Sequence, residues 1–244
     1  VHLVATGADS LLLVQAGSGR GARLAGIEAV EVVGSLLADT IEGLGGADTL
    51  NGFVDADLLR GGAGNDLLHG GLGEPGTADT VLGEAGDDTL SSSGVGDGGA
   101  GHDRLESAGS AAEARGGDGN DTVVGRGAML SGDAGSDRLE ARGDVGLLDG
   151  GAGDDVLVIG AAAGHVGVAL GGEGDDLALV IAPGGTAMRI FDSGDGTALL
   201  RYGVSLVDVE VERLAVTGSA LADSVAGLAS ADTLDGGDGD DLLM

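Results

Sequence analysis

Aspartate recurs along this chain at intervals that would stack carboxylates in columns. Asp39, Asp48, Asp57 and Asp66 lie nine residues apart, Asp79 follows thirteen later, and Asp88 nine after that. From there Asp103, Asp121, Asp137, Asp155 and Asp176 step by 15, 18, 16, 18 and 21. Each closes a glycine-rich run and is followed two places later by an apolar, mostly aliphatic residue, as in Gly61-Gly62-Ala63-Gly64-Asn65-Asp66-Leu67-Leu68-His69. The glycine half reads as a turn and the second half as a short strand pointing one aliphatic side chain inward. Two such units make one coil, so units of the same parity stack at the strand spacing of about 4.8 Å. Carboxylates that close repel by about 3 kcal/mol per pair at an effective dielectric near 20. A divalent cation between them converts the repulsion into coordination.

The elements that must position these groups are copies of one nonapeptide. Close copies run over 61–69, 98–106, 116–124, 150–158, 171–179 and 236–244, with looser ones at 82–90 and 131–139. The steps assign one long column to Asp48, Asp66, Asp88, Asp103, Asp121, Asp137, Asp155 and Asp176. The opposite column, Asp39, Asp57 and Asp79, is short, with Glu74-Pro75-Gly76-Thr77 enlarging one turn. Half-coils such as Ser107 to Arg115, Gly125 to Leu130 and Ala141 to Asp149 lack the motif, which makes the middle of the roll one-sided.

A longer repeat is superimposed at an offset of 184 residues. Gly34-Ser35-Leu36-Leu37-Ala38-Asp39 matches Gly218-Ser219-Ala220-Leu221-Ala222-Asp223, Asp48 matches Asp232, Asp57 matches Asp241, and Ile27-Glu28 matches Val211-Glu212. The expected organisation is therefore strand-rich N-terminal coils (1–34), a repeat roll (35–182), motif-poor strand-rich coils (183–217) and the start of a second block (218–244).

Composition supports a metal staple. Among 244 residues there are 53 Gly, two Phe, one Tyr, no Trp and no Cys, so the core must be aliphatic and cannot be held by disulfides. An apolar fraction of 42% argues against disorder. The net charge of −30, with Arg as the basic residue throughout and no Lys, repels nucleic acid and anionic membranes and opposes compaction unless cations neutralise it. No apolar run is long enough to span a bilayer.

The nonapeptide, G-G-x-G-x-D-x-U-x with U a large aliphatic residue, resembles that of the RTX, or hemolysin-type, calcium-binding family. The resemblance implies an all-β, right-handed parallel β-roll (a β-helix solenoid) with Ca²⁺ between stacked turns. It also implies that the motif aspartates, including Asp223, Asp232 and Asp241, ligate Ca²⁺ together with backbone carbonyls of the glycine stretches. Those carbonyls belong to Gly61, Ala63 and Gly64; Gly98, Ala100 and Gly101; Gly116, Asp118 and Gly119; Asp133 and Gly135; Gly150, Ala152 and Gly153; and Gly171, Glu173 and Gly174. About ten ions follow from counting stacked pairs. The neighbouring Asp87, Asp154, Asp175 and Asp240 read as turn formers, and Asn65 and Asn120 as residues tolerant of left-handed backbone.

Catalysis finds little support. There is no Lys for a phosphate loop or Schiff base, no H-E-x-x-H helix and no G-x-S-x-G elbow. His2, His69, His102 and His165 are far apart, and the row after the motif aspartates is too irregular for a flat threonine face. The expectation is a secreted, non-enzymatic, calcium-folded structural repeat protein that assembles head to tail with copies of itself. The alternative is a folding and export module of a secreted toxin, protease or lipase.

Overall fold

The computed structural model describes residues 2–6, 11–15, 29–71, 77–110, 112–160, 165–182, 185–192, 197–202 and 205–244. Ile27-Glu28 and the 74–76 part of the enlarged turn lie outside these. The described residues form strands, bends and turns without a helix, and none of them could cross a membrane as one. The chain divides into two compact units, 1–121 and 122–244, and each is a parallel β-solenoid.

The first unit holds β1 (His2–Thr6), β2 (Leu11–Gln15), β3 (Ala29–Val33), β4 (Thr40–Glu42), β5 (Thr49–Asn51), β6 (Leu58–Ala63), β7 (Leu67–His69), β8 (Thr80–Ala85), β9 (Thr89–Ser92), β10 (Val95–Ala100), β11 (Arg104–Ser107) and β12 (Glu113–Asp118). After an antiparallel β1–β2 pair, the strands sort by parity. β3, β5, β7, β9 and β11 pair in parallel on one side, and β4, β6, β8, β10 and β12 on the other. Register places Leu50, Leu68, Leu90 and Leu105 in one column, all buried. The opposite column runs Ile41, Leu59, Val81, Gly96 and Ala114. Its inward residues shrink to Gly96 and Ala114 at the end of this unit.

The second unit holds β13 (Thr122–Ala134), β14 (Arg138–Ala152), β15 (Val156–Ile159), β16 (Val166–Glu173), β17 (Leu177–Ile181), β18 (Met188–Asp192), β19 (Thr197–Tyr202), β20 (Ser205–Glu210), β21 (Arg213–Thr217), β22 (Ser224–Val225), β23 (Thr233–Asp235) and β24 (Leu242–Leu243). β13 and β14 run continuously through the half-coils that lack the nonapeptide, with an irregularity between Gly125 and Gly127. Val123, Leu139, Leu157, Ala178 and Leu214 stack on one side, and Leu130, Leu148, Ala169 and Val209 on the other. Between 188 and 210 the parallel order breaks. β18–β19 and β19–β20 pair antiparallel, the strands being separated in sequence by only four and two residues. Val207, Val209 and Val211 are buried there, giving the single apolar face expected from their alternation.

Glycine is required where coils touch. Gly99 has φ +101°, and a Cβ on it would overlap the Glu84 carbonyl of the preceding coil. Gly45 has nothing within 4 Å of such an atom. Gly99→Ala is expected to destabilise the folded chain by at least about 2 kcal/mol, combining left-handed strain with backbone overlap. Gly45→Ala should stay within about 0.5 kcal/mol. Urea unfolding of both variants in Ca²⁺ tests the difference; equal effects would contradict the packing described.

Candidate metal centre

Each motif aspartate sits at the point where a glycine turn enters a strand, and its side chain is turned inward between coils. In the first unit the Asp48 N–H donates to Asp66 Oδ1, Asp66 to Asp88, Asp88 to Asp103 and Asp103 to Asp121, each at 2.7 Å. The second unit repeats this with Asp137 to Asp155 at 2.7 Å and Asp155 to Asp176 at 2.9 Å. The opposite side of the first unit carries Asp39 to Asp57 at 2.8 Å and Asp57 to Asp79 at 3.1 Å. In the second unit Asp223 donates to Asp241 at 2.9 Å. The two columns of the first unit, and their parity, follow the sequence assignment.

One carboxylate oxygen is thereby used to stitch coils together. The other is the notable one. Oδ2 of Asp57, Asp66, Asp88, Asp103, Asp155 and Asp176 is buried and has no hydrogen-bond partner. A buried, unpartnered carboxylate oxygen is costly unless something cationic meets it. The space beside it is also defined. A Cβ on Gly61 would overlap Asp66 Oδ2 and come within 2.7 Å of the Gly83 carbonyl oxygen of the next coil. The same convergence brings Asp57 Oδ2 to Gly70 O, Asp88 Oδ2 to Gly98 O, Asp103 Oδ2 to Gly116 O, Asp137 Oδ2 to Gly150 O and Asp155 Oδ2 to Gly171 O. Carboxylate and carbonyl oxygens facing one small space are the donor set of a hard cation.

The third-position carbonyls are partly engaged. Those of Ala100, Asp118, Ala152 and Glu173 accept the N–H of Gly86, Gly101, Gly135 and Gly153 at 2.7–2.8 Å, leaving a second lone pair on each. The fourth-position carbonyls of Gly64, Gly101 and Gly153 lie against the glycines one coil on, Gly86, Gly119 and Gly174. Second-position carbonyls are stacked in the same way. Glu84 O meets Gly99, Gly99 O meets Gly117, Asp133 O meets Gly151 and Gly151 O meets Gly172. Apart from Asp133, sequence reasoning overlooked these second positions, although the paired glycines were their signal. Among the described residues no three His, Asp or Glu side chains converge on one point, so a cation here would draw largely on backbone oxygen.

Two residues that sequence reasoning missed terminate the columns. Glu212 Oε2 accepts the Asp176 N–H at 3.0 Å, and Ser93 Oγ stands against Asp79, donating to Oδ2 at 2.8 Å. Neither belongs to a nonapeptide, so only coil stacking reveals them. The position just before the motif aspartate differs from expectation. Asn65 and Asn120 are not among the left-handed non-glycine residues, which are Phe53, Asp55, Glu84 and Asp133. Instead Asn65 Oδ1 accepts from Asp87 N–H, Asp87 Oδ1 from His102 N–H, His102 Nδ1 from Asn120 N–H and Asp154 Oδ1 from Asp175 N–H, at 2.8–3.0 Å. Repetition selects a polar side chain that bridges coils there, rather than one that tolerates a turn.

Burial makes several of the stacked carboxyls weaker acids. Asp57, Asp66, Asp103 and Asp155 are pushed up from 3.8 to about 6 and Asp88 to about 7, chiefly by desolvation. The N–H donated from the preceding coil opposes this, and neighbouring carboxylates add to it. Asp176 is raised by burial and by Glu212.

This geometry defines a calcium-type repeat solenoid, its carboxylates and carbonyls gathered between glycine turns. The model of the RTX calcium-binding nonapeptide repeat matches residues 33–68, 54–74, 76–94, 113–128, 129–157 and 217–244, more than half the chain. The chain belongs to the RTX calcium-binding nonapeptide repeat family, whose repeats bind Ca²⁺. The copies at 98–106 and 171–179 lie outside those stretches yet build the same turn. No curated protein matches the chain. Among solved structures, the extracellular lipase LipA from Serratia marcescens is 18% identical, over 81% of this chain and 40% of the lipase chain, with a TM-score of 0.24. The chain thus spans 40% of that lipase's length, and at that score the likeness supports no inference about activity.

Without metal, the raised carboxyls bind protons more tightly folded than unfolded. Their contribution to stability is therefore full below 3.8 and is lost as pH rises through about 6 to 7. Circular dichroism of the metal-depleted chain should show β signal increasing as pH falls from 7.5 to 5. In limiting Ca²⁺ the trend should reverse, because protons then compete for the carboxylates. A metal-depleted signal that is flat or falls on acidification would refute the assignment.

Proposed function

We propose that this chain is a secreted structural module whose folding is driven by Ca²⁺ held between successive turns. The observation that carries the reading is the row of buried Oδ2 atoms without donors at Asp57, Asp66, Asp88, Asp103 and Asp155, each facing the same small space as a carbonyl of the next coil. Asp57, Asp66, Asp88, Asp103, Asp121, Asp137, Asp155 and Asp176 supply the carboxylates, and the glycine-turn carbonyls complete the shell. Stacked carboxylates repel one another where they are ionised, so the metal's binding free energy is folding free energy. The surface charge of −30 fits a partner that is a cation rather than a nucleic acid or an anionic membrane.

The 184-residue recurrence supports a structural role, in which copies of the long unit continue one another in an extended layer, matrix or filament. In electron micrographs of the chain in Ca²⁺, assembly between chains should appear as fibres that vanish on chelation. Monodisperse particles at high concentration would sink it.

Chelation should abolish the β spectrum at pH 7.5, and millimolar Ca²⁺ should restore it. Asp103→Ala removes the Oδ2 of one niche and the Oδ1 that accepts the Asp88 N–H, so its folding midpoint should move to several-fold higher Ca²⁺. A spectrum indifferent to chelator would overturn the reading.

A further inference from the structure

The turns are of two kinds, distinguished by the residue that follows the first glycine. In the Asp39, Asp48, Asp223 and Asp232 turns this second residue is Ser35, Leu44, Ser219 or Leu228. Its N–H donates to Oδ2 of the aspartate four places on, at 2.5, 2.5, 2.6 and 2.5 Å respectively. Oδ1 is also taken in three of them. It accepts the Val30 N–H at Asp48, the Met188 N–H at Asp223 and the Leu214 N–H at Asp232. Ser219 Oγ adds a further donor to Asp223. None of these four second residues has positive φ.

In the turns of Asp57, Asp66, Asp88, Asp103 and Asp155, the second residue is Phe53, Gly62, Glu84, Gly99 or Gly151, and all five have positive φ, between 76° and 106°. No N–H reaches Oδ2 in these turns. Phe53 and Glu84 hold this conformation although they carry a Cβ, so it belongs to the turn type and not merely to glycine.

We propose that the second residue of each turn selects between a calcium-taking turn and one that closes on its own backbone, and that the turns of Asp39, Asp48, Asp223 and Asp232 hold no metal. The inference rests on the calcium reading above and narrows it, reducing the ion count below the ten expected from stacked aspartates. Where backbone N–H groups already satisfy the carboxylate, a cation would have to displace them. Where the N–H is turned away, the carboxylate is left for the cation. The self-closed turns recur in the same pair at the 184-residue offset, Ser35 with Ser219 and Leu44 with Leu228. Each copy of the long repeat therefore opens with two metal-free turns, one on each side of a single coil, on which the first calcium-taking turn is stacked.

Crystals of the whole chain grown in Ca²⁺ and measured at long wavelength test this directly. Anomalous density is expected beside Asp66, Asp88, Asp103 and Asp155, and none beside Asp48, Asp223 or Asp232. Density beside those three as well would overturn this inference while leaving the calcium reading intact; density nowhere would overturn both. In solution, Asp103→Asn should lower the number of bound ions by about one or more per chain, whereas Asp48→Asn and Asp232→Asn should leave it unchanged. A loss of ions in either of the latter would refute the distinction. If one of them fails to fold, the other and the anomalous map still decide.

Discussion

The structure depends on a carboxylate that is buried with half of its hydrogen-bonding capacity unmet. Asp66, Asp88, Asp103 and Asp155 each give Oδ1 to the N–H of the coil before and turn Oδ2 into a space where no donor waits. The first contact stitches one coil to the next. The second makes the stitch conditional, because an ionised oxygen in that place needs either a proton or a metal. Folding and cation binding are thus tied to the same atom.

Other features follow from that arrangement. The coils must approach closely enough for carbonyls of one turn to face the turn above, which leaves no room for a Cβ at positions such as Gly99. The aliphatic residue two places after the aspartate then falls at a fixed height, and Leu50, Leu68, Leu90 and Leu105 form a column without needing aromatic bulk. Burial of such side chains contributes about 1.5–3 kcal/mol each. That apolar column draws the coils together while the aspartates, without a cation, push them apart.

The two kinds of turn use one backbone plan for opposite ends. When the second residue's N–H points at the carboxylate, the turn is complete by itself and its coil can form without metal. When that residue adopts positive φ, the same carboxylate is left for a ligand.

The nonapeptide, its aspartates and their steps were enough to determine the all-β parallel roll and which aspartates share a side. Repetition made this legible, since every copy restates the same turn and the same inward residue. Ser93 and Glu212 were not legible, because they close the columns from segments without a motif and meet Asp79 and Asp176 only through stacking. The antiparallel β18–β19–β20 segment was likewise decided by pairing, as its alternation is compatible with either strand direction. Most of all, sequence treats Asp48 and Asp66 alike, each closing a glycine-rich turn. Leu44 in place of Gly62 hints at the difference, but only the tertiary structure separates the turns, because Phe53 and Glu84 adopt the same positive φ as Gly62 while Leu44 does not, and that dihedral decides where one N–H points.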